Sequence, residues 1–267
     1  MGVNTKGIKK INSDMSRPEY FNLSGFELAV YSSKGSRPKG EKNEDSCGFI
    51  SPSPSQVAVI VSDGLGGHNL GDQASKIVVN TVLGRNTNRR RPFNSAQVVS
   101  KMEKAHQRII DLKADAGATV VAAVVEGNSL WFYSVGDSLG FLMSKKGEIS
   151  YKTFEHSVVG FATESGLMAE KEAQQHDQSN IILNALGFSD SRMESSFKLA
   201  VKAGETLILC TDGLTELLLV DEIREYFKQE NLQESVDSLF EQIKVSREKK
   251  GVFDDLALVV CRVKDSQ

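Results

Sequence analysis

Two tight polar turns, each set between a pair of apolar runs, limit this chain to folds built on antiparallel sheet. Glu126-Gly127-Asn128 separates residues 119–125 from 130–135, and Lys145-Lys146-Gly147 separates 140–143 from 149–154. Glycine-bearing turns between short apolar runs are hairpin signals. Further strands are expected at 26–31, where apolar and mixed residues alternate, at 47–50, stopped by Ser51-Pro52-Ser53-Pro54, and at 206–210 and 256–263. Residues 57–61 read Val-Ala-Val-Ile-Val. Apolar at every position, they have the pattern of a central strand covered on both faces. Apolar residues at helical spacing predict helices over 72–83, over 95–113 with Ser95 as N-cap, over 216–227 and over 232–245. The order is strands, two helices, strands, two helices, strand. It fits an α+β fold: a four-layer α-β-β-α sandwich of two mainly antiparallel sheets flanked by helices. Residues 1–24 are polar with little periodicity and read as a flexible arm. Residues 25–264 read as one domain. Within it, 155–195 is polar and irregular apart from a short helix near 169–175, and reads as an inserted flap.

With 267 residues, 40% hydrophobic and 25% charged, the chain can bury a core of useful size. A net charge of −3 and basic runs no longer than Arg89-Arg90-Arg91 argue against a nucleic-acid-binding face. Cys47, Cys210 and Cys261 show no metal or redox spacing, and the latter two sit in apolar runs as small hydrophobes. No segment has the length and apolarity of a signal peptide or a membrane span. The expectation is a cytoplasmic monomer with no nucleic-acid or membrane partner.

Aspartates recur where the apolar runs end. Asp63 follows the run ending at Val61 and leads into Gly64-Leu65-Gly66-Gly67. Asp212 follows the run ending at Cys210 and leads into Gly213-Leu214. Asp137 follows Gly136 after the run ending at Val135. Asp254 and Asp255 precede the last run, and Glu44 and Asp45 precede the run at 47–50. Carboxylates gathered at sheet ends repel one another and lose hydration unless something positive holds them. Hard divalent cations such as magnesium and manganese take oxygen ligands of this kind. A glycine beside an aspartate lets the backbone come close. Any one of these sites alone reads as a turn. Five at strand ends, two sharing an apolar-run-Asp-Gly-Leu pattern, point to a carboxylate-lined metal site at one end of the sandwich. Spacing does not name the reaction.

Six motifs occur in order: Asn43-Glu44-Asp45, Asp63-Gly64-Leu65-Gly66-Gly67-His68, Gly117-Ala118-Thr119, Gly136-Asp137-Ser138, Thr211-Asp212-Gly213-Leu214 and Asp254-Asp255. Together with residues 180–187, Asn-Ile-Ile-Leu-Asn-Ala-Leu-Gly, they resemble the metal-dependent protein phosphatase family, type 2C. The resemblance spans about residues 26–263. It implies hydrolysis of phosphoserine and phosphothreonine in proteins by a metal-activated water, with no covalent phosphoenzyme. It implies two Mn2+ or Mg2+ ions, with a third and weaker one in similar enzymes, and a phosphorylated protein substrate in a pathway that also holds a Ser/Thr kinase. On matched positions, Asp63 would bridge both metals, and the Gly64 carbonyl would hold one of them. Asp212 and Asp254 would hold the other, and with Asp63 they form the catalytic set. Glu44 and Asp45 would reach the metals largely through water, and Asp137 would serve the third. Asp255 stands where the family has an asparagine.

Three positions depart from the pattern. The arginine common five residues before the Asn-Glu-Asp aspartate is Gly40 here. Arg37, Lys39 and Lys42 are the candidates for gripping the substrate phosphate in its place, and only Arg37 can do so bidentately. Solvated loop charge is an equal reading for each of the three. A histidine two residues after the bridging aspartate is replaced by Leu65, and the nearby His68 reads as a capping or packing residue. Leu139 stands where an arginine is common. Gly40 and Leu65 keep a rival open: the same fold as a catalytically weak or inactive regulatory or binding module. His156, at the start of the flap, reads as a surface-loop residue.

Overall fold

The computed structural model describes residues 6–37, 42–66, 70–84 and 93–264. Among these the chain runs β1 (Lys6–Ile11), β2 (Glu19–Asn22), β3 (Phe26–Ser33), β4 (Ser46–Ser53), β5 (Gln56–Ser62), β6 (Gly64–Gly66), α1 (Gly71–Leu83), α2 (Val98–Ile110), β7 (Ala116–Ala118), β8 (Val120–Glu126), β9 (Ser129–Val135), β10 (Leu139–Met143), β11 (Ile149–Lys152), α3 (Val158–Glu164), α4 (Glu170–Ala173), β12 (Glu194–Ser195), β13 (Leu199–Ala200), β14 (Thr206–Cys210), α5 (Asp212–Thr215), α6 (Val220–Tyr226), α7 (Leu232–Lys250) and β15 (Leu256–Val263). One sheet orders β1-β4-β5-β8-β9-β12, with β13 also on β9. The other orders β11-β10-β14-β15-β3-β2, and β6 pairs with β7 as a small ribbon. All these pairings are antiparallel.

The period-2 geometry of strands explains why the central runs are apolar throughout. In β5, Val57, Val59 and Val61 point between the two sheets, where they meet Val121, Ala123, Leu209 and Val259. Ala58 and Ile60 point the other way, against Val78 and Val82 of α1 and Met102 and Ile109 of α2. β15 does the same in the second sheet: Ala257, Val259 and Cys261 face inward, while Leu258 and Val260 meet Ile223 of α6 and Leu239 and Ile243 of α7. The result is the four-layer α-β-β-α sandwich. Burying such a valine or leucine fully contributes about 1.5–3 kcal/mol.

Several boundaries differ from the sequence-based expectation. The segment read as a flexible arm supplies two edge strands: β1 pairs with β4 from Lys6↔Ser51 to Ile11↔Ser46, and β2 pairs with β3. The lysines of β1 suit an edge that must not recruit another strand. Ser95 does not cap α2. It opens a 3-10 turn, Ser95–Gln97, because its N–H and Oγ donate to the Glu126 carboxylate at 2.7 and 3.3 Å. The helix expected over 216–227 starts only at Val220, as α6, where the Leu219 N–H donates to Glu222 Oε2 at 2.8 Å, and a separate turn of helix, α5, precedes it over Asp212–Thr215. α7 runs on to Lys250, capped at its start by Asn231 Oδ1. The flap carries α3, α4 and β12.

Candidate metal centre

Each loop at one end of the sandwich is pinned by a short polar side chain. The Asp63 N–H donates to Thr119 Oγ1 at 2.9 Å, and Thr119 N–H returns to the Asp63 carbonyl at 2.9 Å. Thr119 Oγ1 lies 2.6 Å from Ser138 Oγ, next to Asp137. Residues 180–187 secure this region, since Leu186 and Ala118 exchange backbone hydrogen bonds of 2.9 Å. Thr211 plays the matching role on the other sheet. Its Oγ1 accepts from Ala257 N–H at 2.8 Å and donates to Asp45 Oδ2 at 2.7 Å. Asn43 Oδ1 accepts the Asp45 N–H at 2.8 Å, a local Asx turn that sets the direction of Asp45. Asp255 accepts Gly35 N–H and Glu44 N–H on its two oxygens, at 2.6 and 2.7 Å, and so ties two loops together.

These pins gather acids from far-apart stretches of chain. Carboxylate oxygens of Asp212, Glu216 and Asp254 lie within 4.8 Å of one another. Burial pushes the Asp212 carboxyl well above its ordinary range, and Asp63, Asp137, Asp254 and Glu216 push it further. Burial does the same to Asp45, opposed by the Thr211 hydroxyl and reinforced by Asp255, Asp212 and Asp254. Asp137 is pushed up to about 7 by burial first and then by Glu155. Asp45 Oδ1, Asp137 Oδ1 and Asp212 Oδ1 are buried with no hydrogen-bond partner among the described residues. Oxygens that are buried, unpaired and mutually repelling demand positive charge. An all-oxygen donor set fits hard divalent cations.

Two protein cations already lean on the cluster. Arg37 donates from Nη1 to Asp254 Oδ2 at 2.5 Å and from Nη2 to Glu216 Oε1 at 2.6 Å, and Lys250 Nζ lies 3.1 Å from Glu216 Oε2. Lys42 instead faces Asp72 of α1, 3.3 Å away, with 67% of its side chain exposed. Lys39, Gly40 and His68 lie outside the described residues. Gly64 packs so closely on Gly71 that an added Cβ would overlap the Gly71 carbonyl, and Glu44 is buried beside the same turn. Leu65 is in β6 opposite Gly117, and Leu139 is buried in β10.

Two residues escaped the sequence reading. Glu216 stands four positions after Asp212, the spacing that puts two side chains on one helical face. His156 is 4% exposed, not a surface-loop residue. Its Nδ1 accepts Gly136 N–H at 3.0 Å and its Nε2 lies 3.2 Å from Glu194 Oε1, which fastens the Asp137 turn to the flap. The neighbouring Ser157 caps α3 by accepting Gly160 N–H at 2.9 Å.

The fold and the cluster define an α-β-β-α domain with a cation-seeking acidic centre. A family model described as protein phosphatase 2C matches residues 34–257. The serine/threonine phosphatase Stp of Listeria monocytogenes serotype 4b is 30% identical over 207 residues, which is 73% of this chain and 81% of that protein. The serine/threonine phosphatase PstP/Ppp of Mycobacterium tuberculosis superposes with a TM-score of 0.74 at 23% identity, covering 90% of this chain and 99% of that one. A PstP catalytic domain solved in complex with two manganese ions gives a TM-score of 0.71 at 23% identity, with the same coverage of 90% and 99%. The chain belongs to the protein phosphatase 2C family.

Proposed function

We propose that this chain is a Mn2+- or Mg2+-dependent protein phosphatase that hydrolyses phosphoserine and phosphothreonine. The observation that carries the reading is the set of three buried aspartate oxygens, on Asp45, Asp137 and Asp212, that have no hydrogen-bond partner among the described residues. Family membership and the manganese-bound structural neighbour support it. Asp63, Asp212, Asp254 and the Gly64 carbonyl would hold two cations, with Glu44 and Asp45 reaching them largely through water. Asp137 would serve a third, with Glu216 joining Asp212 there. When bound, the cations supply Lewis acidity toward phosphate oxygens and lower the pKa of water.

The chain's own residues supply position and charge. Thr119 fixes the Asp63 backbone, and Thr211 occupies one oxygen of Asp45 so that the other stays directed inward. Arg37 offers the planar donor pair suited to phosphate once its carboxylates are engaged by stronger cations. The three free, buried thiols suit a reducing compartment, so we place the activity in the cytoplasm, acting as a monomer opposite a Ser/Thr kinase.

An assay on a phosphothreonine peptide with manganese, magnesium and chelator arms tests the reading. Turnover is expected in the two metal arms and none with chelator. Silence in all three would favour the inactive-module rival. Arg37→Ala should raise KM for the peptide by about tenfold, the loss of roughly 1.4 kcal/mol of charge-assisted hydrogen bonding. Unchanged KM would remove Arg37 from the phosphate site.

A further inference from the structure

Beside the carboxylate cluster lies a cavity of about 320 Å³, and its far wall is the flap. Asp137, Asp212 and Glu216 line the side toward the cluster, and Glu155, Glu164 and Glu170 line the side toward the flap. Asp137 is 7% exposed, and its Oδ1 has no hydrogen-bond partner among the described residues. Lys152 is the one basic residue lining the cavity among the described residues, and it is shared: its Nζ lies 3.6 Å from both Glu155 and Glu164. Glu170 accepts the Val220 N–H at 3.0 Å, which fixes its head without neutralising it. The flap side therefore holds three carboxylates against one ammonium. Cations in the cluster would be balanced by the cluster's own acids, so this excess persists when they are bound. The rest of the lining is mixed: Val159, Met168, Ala173 and Leu219 are apolar, and the others, such as Thr163 and Gln174, are polar but uncharged.

A slot that offers both aliphatic patches and carboxylates matches a side chain with a methylene stem and a cationic head. Its volume sits at the low end of small-ligand sites, about 300–1,000 Å³, which suits one side chain rather than a peptide segment. We infer that this cavity is a subsite for an arginine or lysine side chain of the phosphoprotein, so that the substrate class is phosphoserine or phosphothreonine within basic sequence. Arginine is preferred over lysine, because its fork can engage two of the carboxylates at once. The inference rests on the phosphatase reading above for its substrate, but the recognition itself needs no chemistry.

Two measurements separate the subsite from the reaction. The first is kcat/KM, with manganese, for two phosphothreonine peptides that differ only in arginines or glutamates flanking the phosphorylated residue. Wild type should favour the arginine peptide by about tenfold or more. The ratio should fall toward unity in Glu155→Gln/Glu164→Gln, rise in Lys152→Gln, and shrink as salt is raised. The second is fluorescence anisotropy of a labelled, unphosphorylated arginine peptide. It should bind the wild type and bind the double variant about tenfold more weakly. Gln keeps the shape of Glu, and circular dichroism confirms that each variant is folded. Equal kcat/KM for the two peptides in wild type, or peptide binding indifferent to the double substitution, would overturn the subsite. Binding that depends on Glu155 and Glu164 without hydrolysis of either peptide would uphold the subsite while removing the phosphatase reading.

Discussion

Asp212→Asn should make the protein more stable in chelator and less stable in manganese, while removing nearly all phosphatase activity. Asparagine keeps the shape of the side chain and deletes one charge. In the metal-free protein that charge is buried and opposed by Asp63, Asp137, Asp254 and Glu216, so its loss relieves repulsion. A gain of about 1 kcal/mol would appear as a rise of roughly 2–4 °C in Tm for a chain of this size. With manganese the order should invert. Wild type gains stability from a ligand that binds only the folded state, about 2.7 kcal/mol at a hundred times Kd, and the variant forfeits most of that. Turnover should fall by more than about 100-fold, since changes one shell further out already cost 10–100-fold. Differential scanning fluorimetry with chelator and manganese arms, run beside the peptide assay, gives all three numbers. A variant that melts below wild type in chelator would mean that Asp212 is held by attraction within the fold. A variant stabilised by manganese as fully as wild type would mean that Asp212 holds none of the ions.

The parts of this centre that the sequence revealed are those with a local signature. Asp63, Asp137 and Asp212 each stand just after an apolar run and Asp254 just before one, and a run apolar at every position must lie in a covered sheet. Their common direction along the sandwich followed from topology. Glu216 was hidden because the helix was read as beginning there, whereas a separate turn of helix begins at Asp212 and places the two acids on one face. β1 was hidden for another reason: Lys-Gly-Ile-Lys-Lys-Ile looks like a polar arm by composition, and only an edge position lets a strand carry so many lysines. His156 looked like loop because its partners, Gly136 and Glu194, are 20 and 38 positions away and no periodicity links them. The acidic cavity is further still from local pattern. It exists because the flap folds back so that Glu170 reaches Val220, a contact between segments 50 residues apart.

Gly213→Ala should cost the fold heavily and the cation site with it. An added Cβ at Gly213 would overlap the Asp255 carbonyl oxygen, and it would lie 2.8 Å from the Asp255 carbonyl carbon and 3.2 Å from Leu256 Cα. All three are backbone atoms, so no rotamer change can make room. Either α5 or the start of β15 must move. Overpacking of this kind costs about 1–3 kcal/mol and sometimes more, so a Tm lower by roughly 5–10 °C is expected for a chain of this size. The position gives the loss a functional reading. α5 carries Asp212 and leads directly into Glu216 at its C-terminus, and the segment it would be forced from carries Asp254. A shift that separates them widens the very gap a cation must span, so manganese should restore little of the lost stability. Gly84→Ala is the control. Among the described residues nothing lies within 4 Å of its added Cβ, and its cost comes from the backbone alone, φ of 72° with ψ of −168°, about 1–3 kcal/mol. That variant should also melt lower but keep its full response to manganese. If Gly213→Ala instead behaved like Gly84→Ala, with an intact metal response, the close seat of α5 on β15 would not be what holds Asp212 against Asp254.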